Sequence, residues 1–70
     1  MRIKDKIEFD VKFLHQTSMA VLVNYDGKEY WVPDSQIDED SEVYAGCKLE
    51  RGEAATLVCS EWLATERGMV

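Results

Sequence analysis

The sequence predicts a mainly β fold: a small five-stranded antiparallel barrel, SH3-like by preference and OB-like as the alternative, with a short C-terminal helix. Three observations predict it. Apolar and polar residues alternate with period two through residues 7–13, an Asp26-Gly27 pair separates two further apolar runs, and helical signals are confined to a PDSQI turn and a closing EWLATER. Period-two alternation places one set of side chains on one sheet face. All 70 residues belong to one domain, near the lower size limit for folding without disulfides or metals.

The elements follow in order. Ile7, Phe9, Val11 and Phe13 alternate with Glu8, Asp10 and Lys12, which makes a long half-buried strand, and Ile3 continues the same parity. Gln16, Thr17 and Ser18 form a polar break. MAVLVNYDGKEYWV reads as a hairpin, because a two-residue primed turn needs positive φ and Asp-Gly supplies it. That loop length pairs Val23 with Tyr30, Leu22 with Trp31 and Val21 with Val32. Val21, Val23, Tyr30 and Val32 then face the core, while Leu22 and Trp31 lie on the opposite face and need cover from another element.

Pro33 has no N–H to donate and ends the ladder. Asp34, Ser35 and Gln36 are turn-forming types, and Ile37 returns an apolar plug after about one helical turn. Residues 38–42, DEDSE, read as a solvated loop. Val43 to Leu49 alternates again as a fourth strand, ERGE turns the chain, and Ala54 to Cys59 forms the fifth. Ser60 is a helix N-cap, Glu61 suits the positive end of the helix and Gly68 stops it. Two helical turns need packing to persist, and Trp62 and Leu63 are the residues expected to dock them over Leu22 and Trp31.

Charge and composition narrow the function. The net charge of −6 lies entirely in residues 34–70, where nine acids face three bases, while residues 1–33 balance five against five. Binding to duplex DNA depends on Lys and Arg displacing counterions, so the acidic half disfavours it. The N-terminus is charged where a signal peptide needs an apolar run, and no stretch approaches the roughly 20 apolar residues of a membrane helix. A cytoplasmic protein without membrane contact is expected. Cys47 and Cys59 match neither a zinc spacing nor a disulfide framework and read as small buried hydrophobes.

No catalytic, cofactor or metal site is expected. His15 is the sole histidine, no Gly-rich phosphate loop occurs, and neither cysteine has a nucleophile signature. Asp38, Asp40 and Glu42 have calcium-loop spacing at first, but Val43 stands where that loop needs Gly and Leu49 where it needs Glu. The aromatics Tyr25, Tyr30, Trp31, Tyr44 and Trp62 read mainly as packing residues, with Trp31 the exception because it faces away from the core.

At WVPDSQI and EWLATERGM the chain resembles a set of small proteins encoded by bacteriophages and prophages, which carry a W-[IV]-P-x-S-Q-I motif, an acidic stretch and a C-terminal EWLA segment. The resemblance covers residues 7–69. Val32 stands where Ile is common, and Arg67-Gly68-Met69 stands for Lys-Gly-Leu. No catalytic residue is carried over. The resemblance implies a phage setting, in which small acidic domains act as accessory factors or as inhibitors of host defence, including DNA mimics.

Two functional readings follow. The first is a non-enzymatic interaction protein that binds and inhibits or modulates a protein with a basic surface, an anti-defence inhibitor of the anti-CRISPR kind being one version. Its expected contact residues are Leu22, Trp31, Asp34, Ile37, Asp38, Glu39, Asp40 and Glu42, an aromatic anchor beside an acidic steering loop. The second is a single-stranded nucleic-acid-binding barrel stacking bases on Tyr30, Trp31 or Tyr44. A homodimer through an exposed strand edge is compatible with both.

Overall fold

The computed structural model describes residues 5–69. Four antiparallel strands, β1 (Lys6–Gln16), β2 (Ala20–Tyr25), β3 (Lys28–Pro33) and β4 (Ala54–Ser60), form one sheet in the order β3-β2-β1-β4. A 3-10 turn (Asp34–Gln36) follows β3, and helix α1 (Glu61–Glu66) follows β4. The mainly β class and the C-terminal helix agree with the sequence. The described residues form four strands rather than five, and the sheet is open rather than closed into a barrel.

The hairpin has the register that its turn implies. Val21 pairs with Val32, Leu22 with Trp31 and Val23 with Tyr30. Asp26 and Gly27 have φ of 52° and 79°, the left-handed geometry of a primed turn. Strand β1 pairs on its other side with β4, from Lys6 opposite Ser60 to Lys12 opposite Ala54. Ile3 lies outside the described residues.

A bulge between Phe13 and His15 was not evident from the alternation. It inserts Leu14 and reverses the parity beyond it. His15 turns out beside Leu22, and Gln16 turns to the core side opposite Val21. There the Gln16 amide group donates to the Cys47 carbonyl at 2.8 Å, and its oxygen accepts from the Gly46 N–H.

Those bonds explain why residues 43–49 are not a strand. The alternation in this segment does produce burial, with Val43 and Cys47 in the core. Its backbone groups, however, bond elsewhere. The Val43 N–H and carbonyl both bond to the Ser41 hydroxyl, the Ala45 N–H goes to the Asp34 carboxylate, and the Cys47 N–H closes a turn onto the Tyr44 carbonyl. Gly46, at φ 100°, bends the chain where most L-residues would be strained. A buried backbone group needs a partner but not a strand partner, and here side chains and turns take that place.

The core joins Phe9, Val11 and Phe13 to Val21, Val23, Val32, Leu57 and Cys59, and α1 adds Leu63 and Ala64. Ser60 caps α1 by accepting from the Leu63 N–H at 3.1 Å, and Gly68 ends it at φ 76°. Met69 folds back into the core after that stop. Trp62, expected to dock the helix, is instead 63% exposed. The helix anchors through Leu63 and Ala64 because residues 62 and 63 point in directions about 100° apart on a helix of 3.6 residues per turn.

Both cysteines are free and buried. Burial pushes the Cys59 thiol from the ordinary 9.0 up to about 11. Between those values the unfolded thiol ionises while the folded one keeps its proton, so the unfolded chain binds fewer protons and stability falls as pH rises through that window. The loss from this group should amount to about 2–3 kcal/mol. Urea unfolding of the wild type should therefore lose more stability between about pH 8.5 and 11 than that of Cys59→Ala, with the pH-independent cost of the cavity appearing as a constant offset. Equal pH slopes in the two proteins would contradict it.

Candidate functional site

The sequence motif WVPDSQIDEDSE runs from the outer face of β3 to the free edge of β4, and its residues take distinct roles along that path. Ile37 forms an isolated antiparallel bridge with Cys59. Beyond it, the Asp38 N–H donates to the Val58 carbonyl at 2.9 Å and the Glu42 N–H donates to the Thr56 carbonyl at 3.0 Å. The return bonds come from side chains. The Ser41 hydroxyl accepts from the Val58 N–H at 3.0 Å, and the Glu42 carboxylate accepts from the Thr56 N–H at 2.8 Å. Residues 37–42 thus cover the β4 edge without pairing as a continuous strand, and so remove a template for intermolecular strand pairing.

This corrects the expectation of a solvated acidic loop. Asp38 is 1% exposed and Ser41 is 5% exposed. The Asp38 carboxylate accepts from the Asp40 N–H at 3.0 Å and lies 3.4 Å from the Lys6 ammonium, which also reaches Asp40 at 3.3 Å. The Lys6 pKa is raised above its ordinary 10.5 chiefly by the hydrogen bond to Asp40, opposed by desolvation and supported by Asp38. Asp38 and Glu42 therefore build the edge cover, Asp38 from a buried position and Glu42 from an exposed one, while Glu39 and Asp40 are the other exposed acids of the run. Ile37, read both as an apolar plug and as a contact residue, is 8% exposed and belongs to the core, in keeping with the plug. An isoleucine following a one-turn helix is drawn inward by the β4 bridge.

Leu22 and Trp31 are brought together as expected, directly paired on the outer face. The C-terminal helix does not cover them. Trp31 is 44% exposed, and the His15 ring stands edge-on to it with centroids 6.3 Å apart. His15 reaches this position through the β1 bulge, and the two rings flank the half-buried Leu22 between them. Arg67, at the end of α1, donates from Nε to the Trp31 carbonyl at 3.1 Å. That bond and the missing N–H of Pro33 together blunt the β3 edge.

Two open hollows lie around the turn that follows β3. One is lined by Ser18, Met19, Pro33, Asp34 and Ser35. The other shares Asp34 and Ser35 and extends to Ile37, Glu39 and Tyr44. Asp34 divides them. Its N–H donates to the Met19 carbonyl at 2.8 Å and its carboxylate accepts from Ala45 at 3.0 Å, so the residue pins the β2 entry and the Tyr44 turn to each other. Met19 is 77% exposed and Tyr44 is 45% exposed. Met19 precedes a strand and was not among the expected contact residues, whereas Tyr44 was expected only as a stacking residue, and its outward direction agrees with the alternation of residues 43–49.

Tyr30 is half-buried against the core, which leaves Trp31 and Tyr44 as the exposed members of the three expected stacking residues. Among the described residues no group of three or more His, Cys, Asp or Glu side chains is placed to hold a metal ion. Among them, too, no helix is long and apolar enough to cross a membrane. Comparison of the chain with protein-family models, with curated proteins and with solved structures gave no significant match.

Proposed function

We propose that this chain is a non-enzymatic, phage-type interaction protein that binds and inhibits or modulates another protein bearing a basic surface. The observation that carries the reading is Trp31: a large aromatic left 44% exposed on an outer sheet face, on a domain of net charge −6. Exposed tryptophan is costly to leave in water and is a preferred interface anchor. The acids supply long-range attraction to a basic partner. The resemblance at WVPDSQI and EWLATERGM supports a phage setting, and with it an anti-defence role of the anti-CRISPR or DNA-mimic kind. The order of elements, a meander followed by a one-turn 3-10 helix and a strand returning to β1, supports an SH3-like over an OB-like arrangement.

The single-strand-binding reading has Trp31 and Tyr44 in its favour and the charge against it. One experiment separates the two. Tagged protein is incubated with lysate of the bacterial host at about 50 mM salt, where electrostatic contacts are strong. Eluates are compared for the wild type and for Glu39→Gln combined with Asp40→Asn, which leaves the structural carboxylates of Asp38 and Glu42 intact. The reading predicts a host or phage protein enriched by the wild type and recovered several-fold less by the double variant. Binding of labelled single-stranded DNA under the same conditions, with no protein enriched, would overturn it.

A further inference from the structure

The bulge in β1 gives the Trp31 face a titratable side chain. The inserted Leu14 turns His15 to the outer face, opposite Leu22, which itself pairs with Trp31. Bulges often re-aim one side chain in this way. The result is a row across three strands, with the imidazole exposed at one end and the 44% exposed indole at the other. The two ring centroids are 6.3 Å apart and the rings stand at 86° to each other. A partner seated on the indole therefore also covers the imidazole. Histidine is the side chain whose charge ordinarily changes between about pH 5 and 8, and His15 is the only one in the chain.

The charged groups around His15 give its protonated form no carboxylate partner. Arg51, from the turn before β4, donates to the Leu14 carbonyl at 3.3 Å, and Arg67, from α1, donates to the Trp31 carbonyl. In the same turn the Glu53 carboxylate accepts from the Glu50 N–H at 3.1 Å, folded back on its own loop, and Glu50 is exposed. Lys12 and Glu29 lie one row nearer the hairpin turn, on either side of Asn24. Among the described residues no Asp or Glu forms an ion pair with His15.

We infer that His15 makes docking on the Trp31 face depend on pH, strong while the imidazole is neutral and weak once it is protonated. Protonation adds positive charge where a basic partner seats, and like charges juxtaposed across an interface are costly. Covering that unpaired charge with the partner adds a desolvation cost. The imidazolium is also attracted to the indole π system, at a separation close to the about 6 Å of cation–π contacts, which favours the ring pair over a partner on Trp31. All three effects have one sign. Binding should strengthen as pH rises through this range, and partner binding should in return drive the proton off His15. The inference rests on the protein-binding reading above and adds the regulation of the same face.

The test begins with the full chain carrying Trp62→Phe, in which Trp31 is the sole tryptophan. Its fluorescence is followed between about pH 5.5 and 8, with caesium and iodide as collisional quenchers of opposite charge. At the acid end caesium should quench Trp31 less, by a factor of roughly 1.5 for one charge at this distance in quencher salt, and iodide correspondingly more. His15→Gln should keep the alkaline pattern throughout and His15→Lys the acid pattern throughout, a charge dependence that a merely structural side chain does not produce. Capture from host lysate by the tagged chain is then compared at the two ends of the range. The wild type should recover several-fold less protein at the acid end, His15→Gln equal amounts at both, and His15→Lys little at either. The same pH response of quenching with and without His15 overturns the inference, and so does undiminished capture at the acid end. If either occurs while capture still depends on Glu39 and Asp40, the protein-binding reading stands. If quenching follows His15 but no protein is captured at any pH, the charge switch on this face is upheld and the proposed function is the part that fails.

Discussion

Replacing Ser41 by alanine is expected to lower the melting temperature by about 15 °C, the consequence of losing about 3 kcal/mol in a domain of this size. One hydroxyl, 5% exposed, serves three backbone groups: it donates to the Val43 carbonyl at 2.7 Å and accepts from the Val43 and Val58 amides at 3.2 and 3.0 Å. Alanine fills nearly the same space but leaves those groups without this partner. Each buried donor stranded in this way costs about 1–3 kcal/mol, far more than a hydrogen bond contributes net when both partners can return to water. Total stability for such a chain is only about 4–10 kcal/mol, so the variant should be visibly destabilised at room temperature. Its Val58 amide should also lose protection from hydrogen exchange. Ser35→Ala, at an exposed position in the 3-10 turn, should stay within about 0.5 kcal/mol of the wild type. A Ser41→Ala protein melting within about 2 °C of the wild type would mean that residues 37–42 do not hold the β4 edge as described.

Trp31→Ala is expected to do the reverse, abolishing partner binding while sparing the fold. The indole is 44% exposed, with Leu22 as its cross-strand neighbour and the His15 ring edge-on to it. Truncation therefore removes only partial packing and should cost about 1 kcal/mol of stability. In an interface, an aromatic anchor of this type typically contributes 2 kcal/mol or more, so affinity should fall by about thirtyfold or more. Trp62 offers the matched comparison. It is 63% exposed, on α1, beside Asp5 and Glu61 rather than on the β3 face, and Trp62→Ala should leave partner affinity unchanged.

Strand parity made the sheet legible where it rested on alternation and turn chemistry. The β1 face, the Asp26-Gly27 hairpin register, the one-turn helix after Pro33 and the Ser60 and Gly68 helix boundaries all follow from local rules, and the structure has them as expected. Legibility ended where a side chain substitutes for the backbone. Alternation in Val43 to Leu49 reported burial correctly, yet a strand also needs free backbone groups, and those are taken by Ser41, Asp34 and Gln16. The same limit hid the role of the acidic run. DEDSE has the composition of a solvated loop, and only long-range bonds, from Thr56 to the exposed Glu42 and from Val58 to the buried Ser41, show that these two residues hold an edge.

The candidate site divides in the same way. The outward direction of Trp31 followed from hairpin register alone. That it stays uncovered depended on which face of α1 docks, and Leu63 with Ala64, not Trp62, turned out to be that face. Met19 sits in irregular backbone, where neither period two nor period 3.6 assigns a direction, while Tyr44 points outward as the alternation of its neighbours implies. His15 joined the Trp31 face through a bulge at Leu14, an apolar residue directly after Phe13 that marks where the period-two alternation stops.

Trp31, and not the equally conspicuous Trp62, is expected to meet the partner. The chain contains only these two tryptophans, so an isotope-labelled sample gives two indole N–H resonances, assigned by loss of one in Trp62→Phe. On addition of the captured partner, the Trp31 indole resonance should shift or broaden while that of Trp62 keeps its position. Movement of the Trp62 resonance with Trp31 unchanged would contradict the claim.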